Sequence, residues 1–379
     1  MIVISSLQLA EEALKTNDLA IASRPYLKFS DLLMYGGMDV VFGRYGDYWR
    51  QMKKLMTTEL LSVKIVQSFI GVRKQEIDGL METIRSRQQD DLIATMDEVT
   101  LLGSSFLIVD LFPKLGFLFG LSATTTKLKN LHKEIDNMYN EIFEDRRIKR
   151  KTTGALEDDL SDVLFNLKEQ GGLRFPITDN NIKAIFTVFT WAMTELMRNP
   201  RIMKKAQTEV REAFKGEKSV IETELHKLVY HKLIIKETLR LHHTTPLLLP
   251  RECQEQCQIG GYDIPVKMRI VINALARGID PESWDDPETF RPERFEKSSH
   301  DFYGTNFDYI PFGAGRIMCP GITFGLSNVE QTFAKLIFHF NWQLPDGMQP
   351  KDINMSETFG ATLTKKELFE VIPTLHIPY

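Results

Sequence analysis

The chain has 379 residues, is 43% hydrophobic, and sets 47 lysines and arginines against 51 aspartates and glutamates. That content allows a substantial core and excludes a disordered protein, while the net charge of -4 gives no overall basic field, so nucleic acid is not an expected partner. Three cysteines, an odd number thinly spread, argue against a disulfide framework and for a reducing compartment.

The opening MIVISSLQLAEEALKTND reads as a strand running into a helix. It has no charged leader and no signal-type apolar core, so the chain is expected to begin inside a folded domain. Apolar residues at spacings of three and four predict helices in DYWRQMKKLMTTELLS, SFIGVRKQEIDGLMETI, KLKNLHKEIDNMYNEIFEDRRIKR, NIKAIFTVFTWAMTELMRN, RIMKKAQTEVREAF and ELHKLVYHKLIIKETLRLH. The most apolar stretch, from residue 101, is broken by Asp110, Pro113 and Lys114 short of the ~20 residues a bilayer requires, so no membrane span is expected. The charge run EDRRIKRKTTGALEDDLSD reads as a solvated helix end and loop.

After Pro250 the texture changes to short strands, CQIGGYDIPVKMRIVINALAR, with GGYDIP read as the turn between two of them. DPESWDDPETFRPERFEKSS is a proline-broken loop, GITFGLSNVEQTFAKLIFHFNWQL a helix, and the tail ETFGATLTKKELFEVIPTLHI a hairpin. With no repeat and no linker, the expectation is one domain over 1–379, mainly α with a small β region.

Three short motifs carry the chemistry. In KETLR, Glu237 and Arg240 share one helical face, and Pro292 and Phe295 of FRPERF shape a loop that can present Arg294 to the same carboxylate. A buried arginine–glutamate–arginine set would lock that loop in place. Further on, PFGAGRIMCPG surrounds Cys319 with Phe312, Gly313, Gly315, Pro320 and Gly321. Such a segment suits a flat body held over a thiolate, and it also suits a plain glycine-rich turn beside a buried cysteine. Cys253 and Cys257, in a polar strand context, have no second cysteine or histidine pair at zinc spacing.

Glu-x-x-Arg, Pro-Glu-Arg-Phe and Phe-Gly-x-Gly-x-x-x-Cys-Pro-Gly, in this order and at these separations, resemble a cytochrome P-450. The segments DYWRQMKK, WAMTELMRNP, LPRE, GYDIP and DYIPFGAGR are similar to the plant family-71 group, which oxidises terpenoids and other specialised metabolites. The resemblance implies an abridged fold of that kind, b-type haem (iron protoporphyrin IX) held through the Cys319 thiolate, and glycines that let the loop pass under the macrocycle. It further implies Arg251 and Trp49 as propionate partners, with Lys53 where the family has arginine and Ile317 where it has a second basic residue beside Arg316. Weaker haem retention would follow. Leu247, Leu248, Phe359 and Leu363 would line a pocket for a small hydrophobic substrate, with molecular oxygen as co-substrate and electrons from an NADPH-cytochrome reductase. The resemblance also implies the cytosolic face of the endoplasmic reticulum membrane, reached in the family through an N-terminal anchor; no anchor is expected from the sequence as given, and in this form a cytoplasmic location would be expected.

Against the family the chain is about a hundred residues short. The missing parts fall at the start, near METIRSRQQDDLIATMDEV, and inside ITDNNIKAIFTVFTWAMTELMRNP. The last join omits the Ala-Gly-x-Asp-Thr-Thr turns that deliver protons for oxygen activation, and neither Thr187 nor Thr190 follows an acid. The omitted turns are few enough for the two ends to fuse in phase as one helix. Three functions are therefore open: a haem-thiolate monooxygenase, an impaired or non-functional truncated member, and an oxygen-independent rearrangement of a peroxide.

Overall fold

The computed structural model describes residues 1–27, 39–86, 179–345, 347–358, 362–367 and 370–376. The predicted helix at KLKNLHKEIDNMYNEIFEDRRIKR, the charge run after it and Phe359 lie outside these residues. The chain opens with strand β1 (Ile2–Ile4) and helix α1 (Leu7–Glu11), which widens into one i→i+5 turn over Glu12–Thr16. Helices α2 (Asp47–Leu55), α3 (Val63–Ser68) and α4 (Ile70–Ser86) follow. Then come α5 (Asp179–Arg198), α6 (Pro200–Ala213) and α7 (Val229–Leu241).

Strands β2 (Arg251–Glu252), β3 (Cys257–Ile259), β4 (Tyr262–Ile264) and β5 (Arg269–Ile272) precede the short α8 (Ala274–Gly278) and the long α9 (Ile322–His339). Strands β6 (Phe340–Gln343), β7 (Glu357–Thr358), β8 (Thr364–Lys365) and β9 (Ile372–Leu375) close the chain. β5 is the centre of a three-stranded sheet, with β1 parallel on one side (Ile2 opposite Ile270) and β2 antiparallel on the other. The remaining pairs, β3–β4, β6–β9 and β7–β8, are antiparallel.

Two readings of the strand region are corrected. The turn is Gly260–Gly261 alone, both at positive φ, and Tyr262–Ile264 is already strand. Cys253 is fully buried among Ile4, Ile259, Ile264 and Ile270 rather than in a polar setting, because its amide and carbonyl bond Met268 and Lys267 at 2.9 and 2.7 Å and so draw it into the strand core.

The main core lies between helices. Val188, Leu196, Val210, Ile234, Phe333 and Ile337 bring α5, α6, α7 and α9 together. Pro200 stops α5 and starts α6 at its first position, where a missing amide costs nothing. The Glu209 carboxylate accepts from the Tyr230 and His231 amides at 2.6 and 2.8 Å, capping α7 from outside its own sequence. This core fixes α9, which begins directly after the cysteine loop.

Candidate functional site

Glu237 and Arg240 point inward from the last two turns of α7, and both are fully buried. Arg240 Nε and Nη2 each donate to the carboxylate at 2.8 Å. Arg294, on the 3₁₀ turn Pro292–Phe295, adds its Nε at 2.9 Å, and the Arg291 amide adds a fourth donor at 2.8 Å. The outer guanidinium nitrogens run to the carbonyls of Gly278, Asp285, Asp286, Pro287 and Thr289. Every charge is answered, which is the condition for burying such a set. Gly278 lacks a Cβ because one would stand 2.3 Å from the Arg240 carbonyl. Tyr309 donates to the Lys236 carbonyl at 3.0 Å and carries the chain from this lock to Cys319.

Within the cysteine loop, Gly313 (φ +75°) and Gly315 (φ +73°) adopt the left-handed conformation, and the Cys319 amide donates to the Phe312 carbonyl at 3.0 Å. Phe312 is half-buried and meets Phe302 edge-on at 5.9 Å. Gly315 has a reason the sequence hides: a Cβ there would lie 2.2 Å from Oδ1 of Asp18. The Cys319 side chain is open to solvent, yet crowding pushes its thiol pKa up, with the Gly321 amide and Lys53 pulling it back. Both facts hold for a sulfur at the floor of a recess open on one side. Its place just before α9 also puts the positive helix end beneath it.

Cations gather around this recess. Arg251 is 3% exposed and donates to Asp18 Oδ1 at 3.1 Å and to the Ala314 carbonyl at 2.7 Å. Asp18 also accepts the Arg316 amide at 2.9 Å, with the exposed Arg316 Nε 3.6 Å away. Lys53 donates to the carbonyls of Arg316 and Met318, tying α2 to the loop, and its pKa is lowered by burial despite the pull of Cys319. Trp49 gives its N–H to the Val40 carbonyl at 2.9 Å and presents its ring to Lys53 at 5.3 Å.

Arg24 and Asp18 went unnoticed in the sequence. Arg24 donates to the carbonyls of Val41, Leu249 and Pro250, and burial and then Arg251 push its pKa down to about 9. Only the SRP context signals it, and nothing local says that two of its partners lie 225 and 226 residues away. Arg24, Lys53, Arg251 and Arg316 outweigh Asp18 and Asp39, so the recess has the charge to receive a dianionic group beside a thiolate. The residues present thus fit haem.

Ile317 does not face this charge. It packs at 8% exposure with Ala22, Val40, Trp49 and Met52. Of the expected pocket residues, Leu248 (φ +50°) lies 3.8 Å from where a Gly313 Cβ would be, Leu247 is 42% exposed, and Leu363 is fully buried. The Leu363 amide donates to the Thr244 carbonyl at 3.0 Å, and its carbonyl accepts from Trp191 Nε1 at 3.2 Å. α5 runs unbroken across the shortened join, as fusion in phase requires.

A family profile described as cytochrome P-450 matches residues 1–102 and 87–372, two pieces that overlap near METIRSRQQDDLIATMDEV. The chain belongs to the cytochrome P-450 family, whose members are haem-binding monooxygenases. It is 50% identical over 417 aligned residues to cytochrome P-450 Tp9025 of Tanacetum parthenium, covering 99% of this chain and 85% of that protein. It is 42% identical to premnaspirodiene oxygenase of Hyoscyamus muticus (100% and 84% covered) and 40% to costunolide synthase of Tanacetum parthenium (98% and 83%). An alignment of 417 residues against a 379-residue chain means that the first relative has internal residues this chain lacks. A zebrafish cytochrome P-450 structure with progesterone shares the fold, with TM-score 0.74, 21% identity, and 99% of this chain and 93% of that one covered. No single helix among the described residues is long and apolar enough to cross a membrane.

Proposed function

We propose that this chain is a haem-thiolate monooxygenase acting on a small hydrophobic, terpenoid-like plant metabolite, with molecular oxygen and electrons from an NADPH-cytochrome reductase at the endoplasmic reticulum surface. The observation that carries the reading is the Cys319 loop, where Lys53 acts on the sulfur and Arg24, Arg251 and Arg316 gather around Lys53 and Asp18. Bound haem supplies the reductive activation of oxygen. The chain's own part is to hold and tune it. Cys319 would hold the iron as thiolate, favoured by the Gly321 amide and by Lys53 against the cost of burial. Arg24, Arg251, Lys53 and Arg316 would receive the propionates, with Trp49 steadying Lys53 through its ring face. Gly313 and Gly321 would leave room for the macrocycle to approach the loop, Phe312 wedges the loop against Phe302, and Glu237, Arg240 and Arg294 fix the scaffold behind. Leu248, with Leu247 and Leu363, gives the substrate side its apolar character. The relatives named premnaspirodiene oxygenase and costunolide synthase support a terpenoid-like substrate.

A second reading, an impaired monooxygenase, is favoured by α5. Thr187 and Thr190 each follow phenylalanine, and no acid precedes a threonine anywhere from Asp179 to Arg198. A positioned proton donor contributes about 10² to 10⁴ in rate. The test is product formed per NADPH with a reductase and a terpenoid panel, beside a variant carrying the Ala-Gly-x-Asp-Thr-Thr turns. NADPH use in excess of product, corrected by the added turns, supports impairment; tight coupling in the unaltered chain refutes it.

A further inference from the structure

His242 ends α7 where three elements meet. Its Nε2 lies 2.8 Å from Glu195 Oε1 on α5, and its Nδ1 lies 3.6 Å from Glu357 Oε1 on β7. The ring stacks on Trp191 with centroids 4.0 Å apart and planes within 2°. Trp191 in turn donates to the Leu363 carbonyl, and the Leu363 amide reaches Thr244, two residues beyond His242. One buried knot therefore joins the β7–β8 hairpin to α5 and to the segment that leads from α7 to Arg251.

A neutral imidazole does not suit this setting. With its single proton on Nε2 for Glu195, the Nδ1 lone pair would face the Glu357 carboxylate, and buried Nδ1 makes no hydrogen bond within normal distance. A second proton turns that repulsion into attraction. The charged groups around the ring are Glu195 and Arg198 on α5 (Arg198 Nη1 4.0 Å from Glu195 Oε1) and Glu357 and Lys365 on the hairpin. Lys365 Nζ stands 5.3 Å from the Trp191 ring and also feels Glu367. Burial opposes a charge on His242, but the two carboxylates, Glu195 through its hydrogen bond and Glu357 from 3.6 Å, prevail and raise its pKa.

We propose that His242 is a positioning residue whose imidazolium fastens the β7–β8 hairpin to α5 and so sets one wall of the substrate pocket. This rests on the proposed function only in taking the hairpin as that wall. Because the folded pKa is raised, the clamp is complete below the ordinary histidine value of about 6.5 and is lost as pH rises through the folded value.

The test is amide hydrogen exchange over residues 354–367 of the full chain from about pH 6 to about pH 9, corrected for intrinsic rates, with α7 as internal reference. In the parent, hairpin exchange should rise about tenfold or more over that range while α7 stays protected. His242→Gln should be fast at every pH. Glu357→Gln, which leaves the His242–Glu195 bond in place, should loosen the hairpin and spare α5. A hairpin equally protected in His242→Gln, or a flat parent profile, overturns the proposal; if His242→Gln does not fold, an unchanged hairpin in Glu357→Gln does so. Exchange reads neither haem nor turnover, so failure here leaves the haem-thiolate reading intact, and the reverse also holds.

Discussion

Replacing Glu237 with alanine removes the one carboxylate shared by four donors, from Arg240, Arg291 and Arg294, that the fold has taken out of water. Arg240 and Glu237 are both 0% exposed, and the Arg294 side chain is 5% exposed. Without the carboxylate, Arg240 keeps the Gly278, Pro287 and Thr289 carbonyls but loses both 2.8 Å charge-assisted bonds, while Arg294 and the Arg291 amide lose one each. Breaking a buried ion pair from one side typically costs about 3 to 5 kcal/mol. An exposed helix pair, Glu11 with Lys15, gives the comparison, since such pairs contribute about 0 to 1 kcal/mol. Chemical unfolding of Glu237→Ala and Lys15→Ala beside the parent should separate the two by several-fold in free energy. Equal midpoints and slopes would refute the claim that the lock stabilises the scaffold behind the cysteine loop.

Ile317→Arg forces a guanidinium into the cluster of Ala22, Val40, Trp49 and Met52, and should destabilise the haem-free protein by about 1 to 3 kcal/mol; an unchanged thermal midpoint contradicts that packing. Partial burial pushes the Glu293 carboxyl up, but its own backbone amide, Tyr230, Arg201 and Lys205 prevail and hold it at about 2. A depressed carboxylate contributes stability above its unfolded value of about 4.5 and loses it as pH falls toward 2, so Glu293→Gln should flatten acid unfolding, followed by helical circular dichroism, across that window. Superimposable acid profiles would remove Glu293 from the account.

The legible parts of the sequence were those with local rules. Helical periodicity located α2, α4, α6 and α7, and the start of α9, whose expected last turn FNWQ is instead strand β6 paired with β9; the strict order of Glu237, Arg240, Arg294 and Cys319 pointed to one scaffold because each motif carries its own geometry. What escaped depends on contacts between distant segments. Asp18 explains Gly315, ties down Arg251 and Arg316, and looks like an ordinary helix-end aspartate in sequence. Glu209, two residues from Arg211, reads as a surface charge but caps α7, and Arg211 reaches the Ile337 and Phe340 carbonyls. Arg24 and His242 are functional candidates only once the chain has folded back on them.

The central claim, that Cys319 is the thiolate ligand of haem, is tested most directly by the absorption spectrum of the reduced, carbon monoxide-bound protein. The parent should show the Soret position of a thiolate-ligated haem. Cys253→Ala and Cys257→Ala should keep it, since Cys253 is buried in the strand core and burial raises the Cys257 thiol to about 11. Cys319→Ala should lose it. A thiolate-type spectrum that survives in Cys319→Ala, or one absent from haem-loaded parent protein, would contradict the account.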